Sequence, residues 1–505
     1  MSTEPLLVGL DLGTTSLKAI VFDPAGQTVA QASVRTPTHY PRPGWAYYEP
    51  AELWQATVQA LRTVTAQIEQ PKRIASISVA SFAETMIPLD AQGADAYHQA
   101  IAWFDNRTEP QRDWLDKTFG AGRLFAITGI ALQPIFSLCK ILWVRENAPE
   151  VFARARLWLD MAAYINYRLC GVPSADFSLA SRTLLLDLQK LRWSDEILQA
   201  FELDPNGVAP LLPSGTRLGP VLPDVAAATG LPTSAQVAVG GHDHVCGAMV
   251  LGVTEPGKML NSMGTSEVIF LPLAKPLTDP VIGAQGYSQG AHVTGGYYTF
   301  GGMFTSGACV DWFRESCASG VDYATLIAEA KQIPPGSLGA YFLPHLRMAN
   351  PPHLDTLARG CFMGLSADVK RGALFRAVLE GLAYEIRNAL EPLLVHAGQP
   401  AIQNMYVIGG GAYNELMMQI KASILNQTLN VVSVKEATAL GAAVLGGLGA
   451  GVYPDLAAAL GQLRYTQEEV KPNAELVKFY DTAFRNVYVH LFEALRPLNH
   501  AIHAL

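Results

Sequence analysis

Residues 9–23 read GLDLGTTSLKAIVFD, and residues 258–271 read KMLNSMGTSEVIFL. Each is an apolar strand that ends in a polar residue, breaks at a Gly-Thr turn and resumes in β-branched or aromatic residues. The first runs on through the turn DPAGQT into another β-rich stretch, residues 29–34, so an antiparallel meander is predicted there. The turns at Gly13 and Gly264 lie almost half the chain apart. Two short hairpins can match by chance, but they suggest two halves of similar topology. Pro256 and Gly257 punctuate the sequence between the halves, and the expected domains are residues 1–252 and 253–505.

Between the turns, helical and strand-like patterns alternate. Residues 50–69 carry apolar residues at helical spacing behind a Pro start, and residues 371–395 form a long amphipathic helix. IASISVASF, AQVAVGG and MYVIGGG read as strands, YNELMMQIKASILN as a helix, and the last 30 residues as helical without a legible role. The class is α/β. A chain of 505 residues exceeds what one core usually holds, and with half of it apolar and 16% charged it predicts a large buried interior.

A net charge of −8 without a run of Lys and Arg argues against a nucleic-acid surface. Six scattered cysteines with no CxxC spacing read as reduced thiols in a cytoplasmic protein. The start, MSTEP, lacks the basic-then-apolar pattern of a secretory leader. The most membrane-like stretch, ATALGAAVLGGLGAGVY, is Gly-rich and reads as a helix packed tightly on a neighbour. No membrane partner is expected.

Three constellations carry chemistry. Gly13, Thr14, Thr15 and Ser16 offer backbone N–H groups and hydroxyls as a phosphate cradle, with Lys18 in reach and Asp11 as a hard ligand for Mg²⁺. A self-satisfied hairpin turn is the alternative. In VAVGGHDHVCGAMVLG, Asp243 follows a strand and opens a helix, as a general base at a cleft mouth would. It could instead cap that helix, or join His242 and His244 on a metal, although adjacent residues on a turn diverge. In MYVIGGGAYN, three glycines let a flat ligand approach the backbone and Asn414 can hydrogen-bond it, as an unliganded helix start would also read.

With these motifs in this order, the chain resembles the FGGY family of carbohydrate kinases, in the sugar kinase, actin and heat-shock chaperone superfamily. SLCKILWVREN, residues 137–147, resembles the family's first pattern through Ser137, Lys140, Trp143, Glu146 and Asn147, with Ile135 as a departure. GCFMGLSADVKRGALFRAVLE, residues 360–380, resembles the second through Gly360, Gly364, Ala377 and Glu380, with Ala373 as a departure. EATALGAAVLGGLGAG matches the family's late Ala/Gly helix. The resemblance implies two ribonuclease-H-like, actin-like ATPase domains with ATP in the cleft between them. It places Asp11, Thr14, Thr15 and Lys18 on a first phosphate loop, Asp11 facing Mg²⁺, and Gly264 and Thr265 on a second. It places Gly307, Asp311, Gly410, Gly411 and Asn414 on the adenosine site and makes Asp243 the catalytic base.

For the substrate, a small sugar or polyol (a xylulose-like ketose, a polyol or an aldonate), the candidates are Glu84, Trp103, Asp105 and Arg107 beside Asp243. Carboxylates and an Arg suit vicinal hydroxyls, and Trp can pack on a carbon face. Trp103 could equally be core, and Asp105 and Arg107 a surface pair. Compared with glycerol kinases, Glu84 and Trp103 are kept while an Arg is replaced by Ala83 and a Tyr by Ile135. Compared with xylulokinases, a Met-His pair is replaced by Ala83-Glu84 and an Asn by His244. The substitutions predict an opened pocket beside Glu84, a poor reaction with glycerol and a preference for about four to six carbons. The rival from another class is a nucleotide-driven clamp without a small-molecule acceptor. The reading admits a homodimer.

Overall fold

The structure, a computed structural model, describes residues 4–399 and 401–505. Strands β1 (Leu6–Leu12), β2 (Ser16–Phe22) and β3 (Thr28–Arg35) form the predicted meander. Helix α1 (Pro50–Thr65) leads into β4 (Ile74–Ser81), which pairs parallel with β1. Residues 82–216 add short strands and helices, among them α2 (Ser137–Asn147), the first family-like pattern. Strand β5 (Arg217–Pro220) forms the edge, antiparallel to β6 (Gln236–His242), and β6 is parallel to β4. The order is β5-β6-β4-β1-β2-β3. β1 and β4 are almost continuously buried, as central strands covered on both faces must be.

Helix α3 (Asp243–Val250) carries the chain to the second sheet. Its strands are β7 (Lys258–Met263), β8 (Glu267–Leu273), β9 (Ser288–Ala291), β10 (Tyr297–Met303), β11 (Asn404–Ile408), β12 (Leu429–Ser433) and β13 (Thr466–Val470). Their order is β9-β10-β8-β7-β11-β12-β13. β7, β8 and β10 are an antiparallel meander, β7–β11 and β11–β12 are parallel, and β13 closes the edge antiparallel. Strand for strand this repeats the first sheet, with β9 added. The resemblance between the two Gly-Thr turns therefore extends to the whole sheets. Each turn is closed by its glycine N–H, Gly13 donating to Ser16 O at 3.1 Å and Gly264 to Ser266 O at 2.8 Å.

Helices α4 (Gly307–Cys317), α5 (Arg371–Ala397) and α6 (Glu415–Leu425) cover the second sheet. Helix α7 (Ala437–Gly449) does not stay with it. It packs on β1 and β4 and against α3, so the second half of the chain clasps the first. The contact is backbone on backbone: a Cβ on Gly9 would lie 1.9 Å from Ala439 O, and one on Gly441 would lie 2.3 Å from Cys246 O. That explains the glycines of the Ala/Gly run. Around this helix pair, Leu7, Phe22, Met249, Leu260, Phe270 and Ala443 form a core shared by both sheets.

The carboxyl-terminal helices α8 (Ala474–Ala483) and α9 (Val489–His503), with the turn between them, serve α5. Glu380 and Glu385 are buried on α5, and Tyr480 and Tyr488 donate to them at 2.8 and 3.0 Å. A carboxylate so buried needs such partners. Among the described residues no helix is long and apolar enough to cross a membrane.

Candidate active site

A cavity of about 350 Å³ is lined from both halves: Thr14, Glu84, Trp103 and Asp243 from the first, Ser266 and Phe300 from the second. A second cavity, about 510 Å³, is built from the second half and is lined by Gly264, Thr265, Gly307, Asp311, Gly410, Gly411 and Asn414. Every residue expected at the adenosine site therefore lies on one cavity. The turn Gly264–Ser266 borders both, its first two residues on one side and Ser266 on the other.

That turn is docked on the start of α4. Gly264 O and Thr265 O accept from Gly307 N–H and Ser306 N–H at 3.1 and 2.9 Å. A Cβ on Gly307 would lie 2.7 Å from Gly264 O, so glycine is required there. Below, Glu267 accepts from Ser306 Oγ at 2.8 Å and from the buried Lys421 ammonium. Sequence reasoning missed Tyr323 and Tyr413, which also line this cavity. Tyr323 OH donates to Asp311, and Tyr413 is 78% exposed.

Asp243 is the first residue of α3, and the cap position falls to His242. Its Oδ1 accepts from the next N–H, that of His244, at 2.6 Å, so it does not act as the helix cap. Its side chain is 22% exposed, on the cavity. His242 Nε2 lies 3.3 Å from Asp243 Oδ1, and burial pushes that imidazole down to about 3, so it is neutral at pH 7. The His242 N–H is anchored on Ser178 Oγ at 2.8 Å. His242, Asp243 and His244 do not form a compact metal-binding group; the one found among the described residues is His39, Glu49 and Glu52, which line neither cavity.

Asp11, Thr15 and Lys18 line neither cavity but flank Thr14, whose Oγ1 accepts from Trp103 Nε1 at 3.0 Å. Burial, reinforced by the Asp243 charge, lifts the Asp11 carboxyl to about 7, against the pull of Lys18. Lys18 itself is held by Glu436, at the start of α7, with Nζ 2.9 and 2.7 Å from the two carboxylate oxygens.

Glu84 lies on the cavity lined from both halves, in the left-handed region at φ 66°, costly for a non-glycine residue. Two basic side chains hold it. Lys140 of α2, fully buried, donates to Glu84 O at 2.8 Å. Arg182 Nε donates to Glu84 Oε1 at 2.8 Å, with both side chains under a tenth exposed. Arg182 lines the same cavity as Ala83, and it is 98 positions from Glu84 with no local signal to connect the two.

Asp105 and Arg107 correct the sequence reading. Neither lines the cavity. Their side chains are fully buried and paired, Arg107 Nη2 at 2.8 Å from Asp105 Oδ2, and Asp105 also accepts from Ala46 N–H at 2.5 Å. The Arg107 guanidinium lies 3.9 Å from the Trp45 ring centroid. They brace the fold beneath the site.

A duplicated α/β fold holds two cavities that meet at a glycine turn, one lined from both halves and one from the second half. Residues 6–250 match the N-terminal domain and residues 259–450 the C-terminal domain of the FGGY family of carbohydrate kinases, and the chain belongs to that family. It is 31% identical over 488 residues to the xylulose kinase of Bacillus subtilis (strain 168), covering 96% of this chain and 97% of that one. It is 30% identical over 476 residues to the glycerol kinase of Trichormus variabilis, covering 91% and 93%. The solved xylulose kinase of Rhodospirillum rubrum superposes with a TM-score of 0.89 at 27% identity, over 98% of this chain and all of that one. The protein is thus a carbohydrate kinase, not the acceptor-free clamp.

Proposed function

We propose that this kinase transfers the γ-phosphoryl group of ATP to a hydroxyl of a small ketose or polyol of about four to six carbons, with Asp243 as general base. The observation that carries the reading is the shared turn: Gly264–Ser266 lies between the cavity holding Asp243 and the cavity for the nucleoside. A γ-phosphate at that turn meets a hydroxyl beside Asp243, which takes its proton as the oxygen attacks in line. His242 beside it is neutral and brings no positive charge to the site.

Thr14, Thr15 and Lys18 serve the first phosphate loop, Gly264 and Thr265 the second, and Gly307, Asp311, Gly410, Gly411 and Asn414 hold the adenosine. Glu84 and Trp103 receive the substrate. Mg²⁺ fits at Asp11, a buried carboxylate next to a second one and short of positive charge. When bound there it neutralises charge on the transferring phosphates. Closure of the two halves on the acceptor cavity keeps water from competing as acceptor.

ADP release with glycerol, erythritol, xylulose, ribulose, xylitol and gluconate tests the proposal. At least one acceptor of four carbons or more should stimulate it well above the rate with ATP alone, and glycerol should give a kcat/KM about one to two decades lower. If no acceptor changes the rate, the proposal fails; if glycerol is best, the chain-length part fails.

A further inference from the structure

Arg182 is bound to Glu84 through Nε alone, while its Nη1 is buried with no hydrogen-bond partner in the protein. The guanidinium carbon lies 5.0 Å from the Phe136 ring centroid and 4.8 Å from that of Phe300. Phe136 precedes α2 in the first half, and Phe300 lies on β10 in the second. All four residues line the cavity with Asp243. A guanidinium fixed between rings is a good cation–π site, but the rings offer no acceptor for its remaining N–H groups. Leaving them unpaired is costly, so the site is built for a ligand oxygen.

We propose that Arg182 is a specificity-determining residue which, with Glu84, forms a donor–acceptor fork for two adjacent substrate oxygens, favouring a carbonyl beside a hydroxyl. The inference rests on the proposed function. Arg182 can only donate and ionised Glu84 can only accept. A carbonyl at Arg182 accepts and has no proton of its own to place. A hydroxyl there also accepts, but its own O–H must compete with the neighbouring hydroxyl for Glu84, the acceptor beside it. A carboxylate at that position sets a second negative charge beside Glu84. The fork therefore ranks an open-chain ketose above the polyol of the same carbon skeleton, and both above the acid.

The test is kcat/KM for the matched pairs erythrulose and erythritol, ribulose and ribitol, xylulose and xylitol, in wild type, Arg182→Lys and Arg182→Met, with the KM for ATP in each. Wild type should favour at least one ketose over its polyol by about tenfold or more. Arg182→Lys keeps a charge for Glu84 but loses the planar fork. It should bring that ratio towards one, mainly through the ketose KM, with the ATP KM unchanged. Arg182→Met should do the same and lower turnover further. If the variants slow ketose and polyol equally, Arg182 only supports Glu84 and the inference is overturned. A wild-type enzyme that uses polyols at least as well overturns it without any variant, even if both variants fail to fold. If wild type turns over none of the six, nor any other acceptor, the proposed function has failed first and this inference falls with it; turnover with an unmoved ratio sinks the inference alone.

Discussion

Asp11 and Asp243 stand near each other, and their charges work against the fold. The folded Asp11 carboxyl titrates near 7, above its ordinary 3.8, so holding its charge costs stability above pH 7. The cost shrinks as pH falls through that window and is gone below about 3.8. Without Mg²⁺ and nucleotide, Asp11→Asn should therefore melt higher than wild type at pH 8 and no higher at pH 3.5; each pH unit of separation corresponds to about 1.4 kcal/mol. The same variant should need more Mg²⁺ and turn over more slowly, a stability gain taken at the site's expense. An equal melting temperature at pH 8, or an unchanged Mg²⁺ titration, refutes the assignment. Asp243→Asn should cut turnover by about 10²- to 10⁴-fold with ATP affinity held within a few fold; a variant keeping about a tenth of wild-type turnover excludes Asp243 as the base. Glu84, Trp103 and Asp243 were legible because residue type and local motif point to a cleft. Asp105 and Arg107 misled because the sequence does not show which way a side chain in the turn between Ile101 and Glu109 faces, and a buried pair carries the same letters as a sugar clamp. Arg182 was silent because its meaning comes only from Glu84 and two rings brought to it by the fold.

At the level of elements, the repeated hairpin was readable because a Gly-Thr turn between apolar strands is local chemistry. The Ala/Gly helix was readable as tightly packed, but not where it packs: α7 crosses to the first sheet and lies on β1 at Gly9. Gly9→Ala sets a Cβ 1.9 Å from Ala439 O, where neither backbone can yield alone. Overpacking of this kind should cost about 1–3 kcal/mol or more in urea unfolding and should loosen the halves from each other. An unchanged midpoint would mean that α7 slides freely on β1. The last two helices stayed mute in the sequence because their task is set by Glu380 and Glu385, carboxylates that become a problem only once α5 is buried.

On the scale of the molecule, the contacts between the two halves include α7, the cavity lined from both and an ion pair spanning 418 residues, Lys18 with Glu436. Both side chains are about a third exposed, so the pair is a weak one, worth about 0.2–1 kcal/mol. Lys18 is the cation proposed for the ATP phosphates, and here Glu436 holds it through both carboxylate oxygens. Phosphates that engage Lys18 must compete with that carboxylate, whose own charge also repels them. Glu436→Gln removes the competitor and the repulsion together, so ATP should bind more tightly, by about 1.5- to 5-fold on the scale of an exposed pair. The effect should shrink between low ionic strength and about 0.5 M salt, because exposed charges are screened within a few ångströms there. The acceptor KM should stay constant, since neither residue lines the acceptor cavity. ATP KM from ADP release at two salt concentrations, in wild type and Glu436→Gln, decides the matter. Weaker ATP binding in the variant would mean that Glu436 positions Lys18 for the phosphates instead of withholding it.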